Sequence, residues 1–187
     1  MAASRRFRQP SAFVPFARIP SPDYGTALRE AAGGDRLDEQ AADFIGPGGV
    51  SERDAWGKAL GIEFLEVTPE RVRARLEAGA QHHQPYGVLH GGVYCSIVEA
   101  VASYGAGYAA LASGQVGVLG VSNSTDFFRS HSSGELQAVG RPVHAGRSAH
   151  VWSVDVTRAQ DGKLVARGQV RFHVLSEVPP SAPSGSP

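Results

Sequence analysis

Apolar and polar residues alternate through GIEFLEVTPE and RVRARLEA: Ile62, Phe64 and Leu65, then Val72, Ala74 and Leu76, point one way, and Arg71, Arg73 and Arg75 the other. A period of two is that of a half-buried strand, so a hairpin is predicted, turning at Thr68-Pro69-Glu70. Over 91–111 the pattern changes. Proline is absent, and Val93, Ile97, Val98, Val101, Ala102, Ala106 and Ala109 leave apolar side chains almost all round. At about 1.5 Å per residue this is a helix of roughly 30 Å, apolar enough to be buried. Gly105 and Gly107 either weaken its last turns or admit another backbone. After Ser113-Gly114 come strand-like runs at 116–128, 135–144, 148–158 and 163–175, separated by Gly, Ser or Asp-Gly turns, with Asp161-Gly162 the strongest hairpin signal. Short connections favour antiparallel neighbours. The expectation is an α+β fold, a single antiparallel sheet wrapped around one long central helix.

The ends read differently. Residues 1–25 carry prolines at 10, 15, 20 and 22 and no sustained period, and are expected to be extended. Good helix formers over 26–44, broken at Gly33-Gly34, predict two short helices. GPGGVS (46–51) is a turn cluster, and Ser51 with Glu52 and Asp54 behind it can cap a further helix through about Ala59. The expected organisation is a helical N-terminal extension over 1–50, a domain over 51–175 and a disordered tail over 176–187.

Composition removes several function classes. Eighteen basic and eighteen acidic side chains cancel over 187 residues, so no global field favours nucleic acid or an anionic membrane. Arg5, Arg6, Arg8 and Arg18 form a local positive arm, either solvated or in contact with something acidic. No apolar run approaches the ~20 residues that cross a bilayer. MAASRRFRQP is not followed by the apolar stretch of a secretory signal, so a cytoplasmic location is expected. Cys95, the only cysteine, excludes a disulfide framework and a Cys-rich zinc site. His82 and His83 adjoin Gln84 without a carboxylate companion or a repeated spacing, and no metal is expected.

The chemistry concentrates in Gln84–Ser103, QPYGVLHGGVYCSIVEAVAS. A glycine pair opening a helix serves close helix–strand packing, or it leaves N–H groups uncovered at the positive end of the macrodipole, where a phosphate, carboxylate or developing oxyanion is stabilised. Glu99 is the only carboxylate between 91 and 113. Burying it unpaired costs several kcal/mol, so it reaches solvent, pairs, or is kept for use. Ser103, four residues on, shares its helix face. Gly91 and Glu99 stand about 12 Å apart along the axis. If both act on one substrate atom they come from different copies of the helix, and two antiparallel helices in a symmetric dimer supply that arrangement.

Gln84, His90-Gly91-Gly92 and Glu99 together resemble the hotdog-fold acyl-CoA thioesterases, in the branch holding phenylacetate-pathway and 4-hydroxybenzoyl-CoA thioesterases. Many members place Asn and Asp where this chain has Gln84 and Glu99, and Gln, Glu and a hydroxyl at Ser103 together resemble the 4-hydroxybenzoyl-CoA subgroup. The resemblance covers about 60–175 and includes VSNSTDFFRS (121–130) and VARGQVRFHV (165–174). It implies hydrolysis of an acyl-CoA, aromatic or medium-chain, to a free acid and coenzyme A. The Gly91 N–H polarises the thioester carbonyl beside the Gln84 amide, and Glu99 of the neighbouring subunit is nucleophile or general base. Ser103 orients water or Glu99, and His90 supports the loop or acts as general acid. Arg129 and Arg147-Ser148 are candidates for the coenzyme A phosphates or are solvated turn residues. Coenzyme A is part of the substrate, so no separate cofactor is implied. The implied assembly is a homodimer at minimum, with a homotetramer expected. The alternative is a hotdog domain that binds acyl-CoA as a sensor without turnover.

Overall fold

The computed structural model describes residues 54–176. The two helices expected within 26–44, the cap at Ser51 and the tail beyond 176 lie outside the described residues. Helix α1 (Ala55–Leu60) is capped by Asp54, whose carboxylate accepts from the Gly57 N–H at 2.8 Å. Strands β1 (Ile62–Val67) and β2 (Val72–Ala78) form the predicted hairpin, with Thr68 N–H donating to the Arg71 carbonyl at 2.8 Å. Helix α2 (Gly91–Ala112) follows, then β3 (Gly117–Phe127), β4 (Gly134–Ala145), β5 (Ala149–Arg158) and β6 (Leu164–Leu175). Every pairing is antiparallel, in the order β1-β2-β4-β5-β6-β3. Among the described residues no helix is long and apolar enough to cross a membrane.

The sheet wraps α2, and the core between them holds Leu76, Leu136, Trp152, Val154, Val170 and Phe172 against Ile97, Val98 and Val101. Gly105 accommodates a side chain rather than a backbone: a Cβ there would lie 2.3 Å from Trp152 Cζ3. The helix stops where Gly114 takes φ +77°, a left-handed conformation open to glycine at low cost.

The pairing register shifts at four places, one of them between Val156 and Thr157 opposite β6, where the consecutive residues Val165 and Ala166 are both buried. Register shifts between Phe64 and Glu66, Gly120 and Ser122, and Pro142 and His144 leave Leu65, Val121 and Val143 as the extra residues of β-bulges. Each is turned outwards, 48%, 58% and 59% exposed respectively. The inward placement expected for Leu65 is therefore corrected: the bulge spends it so that Val67, 1% exposed, regains the core face.

Helix α2 is not buried all round. Gly92, Cys95, Ser96, Glu99, Ala100, Ser103 and Gly107 form a stripe of small and polar residues that is not fully covered. Strand β3, the sheet edge beside it, is exposed along most of its length.

Candidate active site

The loop before α2 is built by its own backbone. Gln84 N–H donates to the Val88 carbonyl at 2.8 Å and Gly87 N–H to the Gln84 carbonyl at 3.0 Å. His82 is 4% exposed; its Nδ1 accepts from the Gly79 N–H and its Nε2–H donates to the Leu60 carbonyl. His83 Nε2–H donates to the Ser132 carbonyl at 2.7 Å. Both rings thus anchor the loop, and among the described residues no group of three His, Cys, Asp or Glu is placed to hold a metal.

His90 is the N-cap of α2. Its Nδ1 accepts from the Gly92 N–H at 2.9 Å, which fixes the lone pair on Nδ1 and the proton of the neutral ring on Nε2. Its own N–H donates to the His82 carbonyl at 2.9 Å. Gly91 serves packing, since a Cβ there would lie 2.8 Å from Phe127 Cε2.

Two turns further along, Glu99 opens into a cleft of about 460 Å³ lined also by Trp56, Cys95, Ser96, Ala100, Ser103 and Asn123. The carboxylate is oriented from β3: Asn123 Nδ2 donates to Glu99 Oε2 at 2.9 Å and to the Cys95 carbonyl at 3.1 Å. Thr125 Oγ1 donates to Asn123 Oδ1 at 2.7 Å and so fixes which end of the amide faces Glu99. The other oxygen, Oε1, sits over Gly120, where a Cβ would approach to 2.7 Å. A neutral amide holds the carboxylate without neutralising it, and among the described residues Glu99 makes no ion pair. Ser103 lines the same cleft one turn on, without a hydrogen bond to Glu99. A neighbouring hollow of about 330 Å³ shares Asp54 and Tyr104, but its own carboxylate, Glu63, is bound to Arg75 at 2.7 Å.

Gln84 lies in the loop before α2, His90 and Gly91 at the helix N-terminus, and Glu99 and Ser103 in the cleft, so the candidate residues fall in two separate groups within one chain. Arg129 follows β3 at the Phe127 end, and its Nη1 donates to the Leu164 carbonyl at 2.6 Å. Arg147 and Ser148 lie at the opposite end, where Val174, the partner of Val118, donates to the Ser148 carbonyl. About 30 Å of strand separates the two cations. Cys95 borders the cleft and is only partly buried. Of Tyr86, Tyr94 and Tyr104, Tyr86 is exposed and Tyr94 packs on Phe127 with centroids 5.6 Å apart. Tyr104 alone borders the cleft, stacked on Phe64 at 3.9 Å, and burial pushes its hydroxyl well above the ordinary tyrosine range. Sequence reasoning missed Asn123 as a partner of Glu99, as well as Trp56 and Gly120. The polar run Ser122–Asp126, following the apolar Val118–Val121 in the same strand, is the one signal that was available for Asn123.

A single antiparallel sheet wrapped around one long helix, with polar groups at the helix start and on its open stripe, is the hotdog fold. The thioesterase superfamily pattern matches residues 86–165. The chain is 43% identical over 121 residues to "Putative esterase Rv1847" of Mycobacterium tuberculosis, covering 64% of this chain and 86% of that one. The solved structure of that protein superposes with a TM-score of 0.63 at 40% identity, over 66% of this chain and 98% of that one. The proofreading thioesterase EntH of Cronobacter turicensis is 34% identical over 95 residues, 51% of this chain and 68% of that one. The 1,4-dihydroxy-2-naphthoyl-CoA hydrolase of Listeria monocytogenes is 31% identical over 100 residues, 54% and 80% respectively. The chain belongs to the thioesterase superfamily, and it is an enzyme of the thioester-hydrolase class.

Proposed function

We propose that the enzyme hydrolyses an acyl-CoA with an aromatic or medium-chain acyl group to the free acid and coenzyme A. The observation that carries this reading is Glu99: a carboxylate with no ion pair among the described residues, held on one oxygen by Asn123 and open to a cleft of about 460 Å³. Such a group is a base or nucleophile kept available. Glu99 either attacks the thioester carbon or takes a proton from the attacking water, and the thiolate of coenzyme A leaves. The Gly91 N–H and the α2 dipole stabilise the oxyanion, with the Gln84 amide beside it. Ser103 orients the water, and His90 holds the loop through its cap. Gln84, Glu99 and Ser103 together favour the 4-hydroxybenzoyl-CoA-like branch.

The separation of the two groups calls for a dimer. The open stripe of α2 is small enough to face a second helix, and β3, which among the described residues is an edge strand, carries Leu119, Val121 and Phe127 half-exposed. Antiparallel pairing of two β3 edges would bring Arg129 of one subunit to the end that holds Arg147 and Ser148 of the partner subunit. The coenzyme A phosphates would then meet cations from both chains.

The test is thiol release from a panel of aromatic and aliphatic acyl-CoAs, wild type beside Glu99→Ala, with coenzyme A binding read by calorimetry and mass by light scattering. The expected result is turnover by wild type, a loss of about 10²–10⁴-fold in the variant with coenzyme A binding retained, and a mass at least double the 19.7 kDa chain. Turnover that survives in Glu99→Ala overturns the role of Glu99. Tight binding without turnover by wild type overturns hydrolysis in favour of an acyl-CoA sensor.

A further inference from the structure

We infer that Trp56 is a specificity-determining residue: its indole forms a fixed flat wall of the acyl site and favours planar aromatic acyl groups over flexible aliphatic ones. The inference rests on the proposed thioester hydrolysis at Glu99. Trp56 lies on α1, thirty residues before the matched superfamily segment begins, so the wall is built by a part of this chain that the family pattern does not describe.

Three observations converge. First, Trp56 is 64% exposed, whereas Trp152, the other tryptophan, is fully buried in the core. An apolar side chain of this size left in solvent contributes little to folding, so its burial is reserved for something that arrives. Second, the ring is held in place. Its Nε1–H donates to Ser96 Oγ at 3.0 Å, and Ser96 Oγ donates onward to the Gly92 carbonyl at 2.8 Å. That relay ties the only polar atom of the indole to helix α2 and leaves an apolar face as the surface on offer. The ordering entropy of the ring is thereby met before any ligand binds.

Third, the wall stands beside the chemistry. Trp56 lines the same cleft as Glu99, Ala100, Ser103 and Asn123. Its anchor Ser96 is three residues from Glu99, about 4.5 Å along the helix axis. A thioester carbon within reach of Glu99 therefore places the first atoms of its acyl group within one helical turn of the indole. Ala100, four residues after Ser96 on the same helix face, keeps that approach clear of a large side chain. A planar acyl group gains offset stacking on the indole in addition to burial, and a saturated chain gains burial alone.

The experiment measures kcat/KM for benzoyl-CoA and hexanoyl-CoA with the full chain as wild type, Trp56→Leu, Trp56→Phe and Ser96→Ala. The benzoyl-to-hexanoyl ratio is the readout, because impaired folding lowers both values together and leaves the ratio unchanged. The expected result is a ratio about two- to tenfold lower in Trp56→Leu, largely kept in Trp56→Phe, and lowered to an intermediate value in Ser96→Ala. A wild-type ratio in Trp56→Leu overturns the inference while leaving hydrolysis intact. If wild type turns over neither thioester, the hydrolysis reading fails. The ratio of the two dissociation constants, measured by calorimetry on the same variants, then decides the role of Trp56 by the same criterion.

Discussion

Substituting Gly120 by alanine separates the position of the carboxylate proposed as catalytic, Glu99, from the stability of the fold. Gly120 lies on β3 with a backbone that any residue adopts, so the added methyl brings no conformational strain. Its Cβ would lie 2.7 Å from Glu99 Oε1 and 3.8 Å from Phe172 Cε1. Only the first contact is too short. Reaching ordinary van der Waals separation, near 3.4 Å, requires the carboxylate to move by about 0.7 Å. Glu99 yields readily because it is the far end of a flexible side chain, and the change in stability stays within about 0.5 kcal/mol. The same shift displaces the Asn123 hydrogen bond, which holds Glu99 Oε2 at 2.9 Å from the same strand. That bond is exposed, so water replaces it in the resting enzyme at little cost to stability, but the set position of the carboxylate is lost. Losing that position in the reacting geometry lowers kcat/KM by about 10- to 100-fold. Thiol release on the best substrate of the panel and urea titration of the same preparation measure the two quantities. Wild-type turnover in Gly120→Ala would refute the assignment of Glu99. A fall in turnover matched by a fall in stability would refute the separation.

Gly105→Ala drives a methyl into Trp152, an overpacking that costs about 1–3 kcal/mol and outweighs the ~1 kcal/mol of helix propensity gained. Gly107→Ala meets nothing within 4 Å and keeps that gain, so urea midpoints should fall in the order Gly107→Ala, wild type, Gly105→Ala. His150, 3% exposed, has its imidazole pushed below the ordinary histidine range by burial and by the neighbouring His144, against a hydrogen bond to the Gly146 backbone that favours the protonated ring. The unfolded chain then takes a proton that the folded chain refuses. Stability is unaffected well above about pH 6.5 and falls as pH drops below it. The decline in urea midpoint between about pH 7.5 and 5.5 should be shallower in His150→Gln than in wild type.

The sequence made the larger elements legible because their patterns are long and uninterrupted. Helix α2 declares itself through twenty-two residues without proline, and Asp161-Gly162 marks the β5–β6 turn, where Gly162 takes φ +65°. Alternation could not find Leu65, Val121 or Val143, because a bulge inserts one residue and the residues on either side still alternate. Glu99 was visible as a lone charge on an apolar helix. Its partner Asn123 was not, because the contact spans 24 residues and joins a strand edge to a helix face. Trp56 was hidden for the same reason at a separation of 40 residues. Gly91 was legible only as an alternative between packing and an exposed amide, and the contact with Phe127 accounts for the packing half.

The seat of Trp152 over Gly105 also limits how this protein can evolve. A larger residue at 105 collides with an indole that has no exposed surface through which to retreat. A smaller residue at 152 leaves a void beside a glycine that contributes no side chain to fill it. Each single step is deleterious, and only the pair exchanged together restores the packing. The two positions are thus bound by reciprocal epistasis, so lineages that diverge freely along the exposed stripe of α2 will inherit this glycine and this tryptophan as a unit.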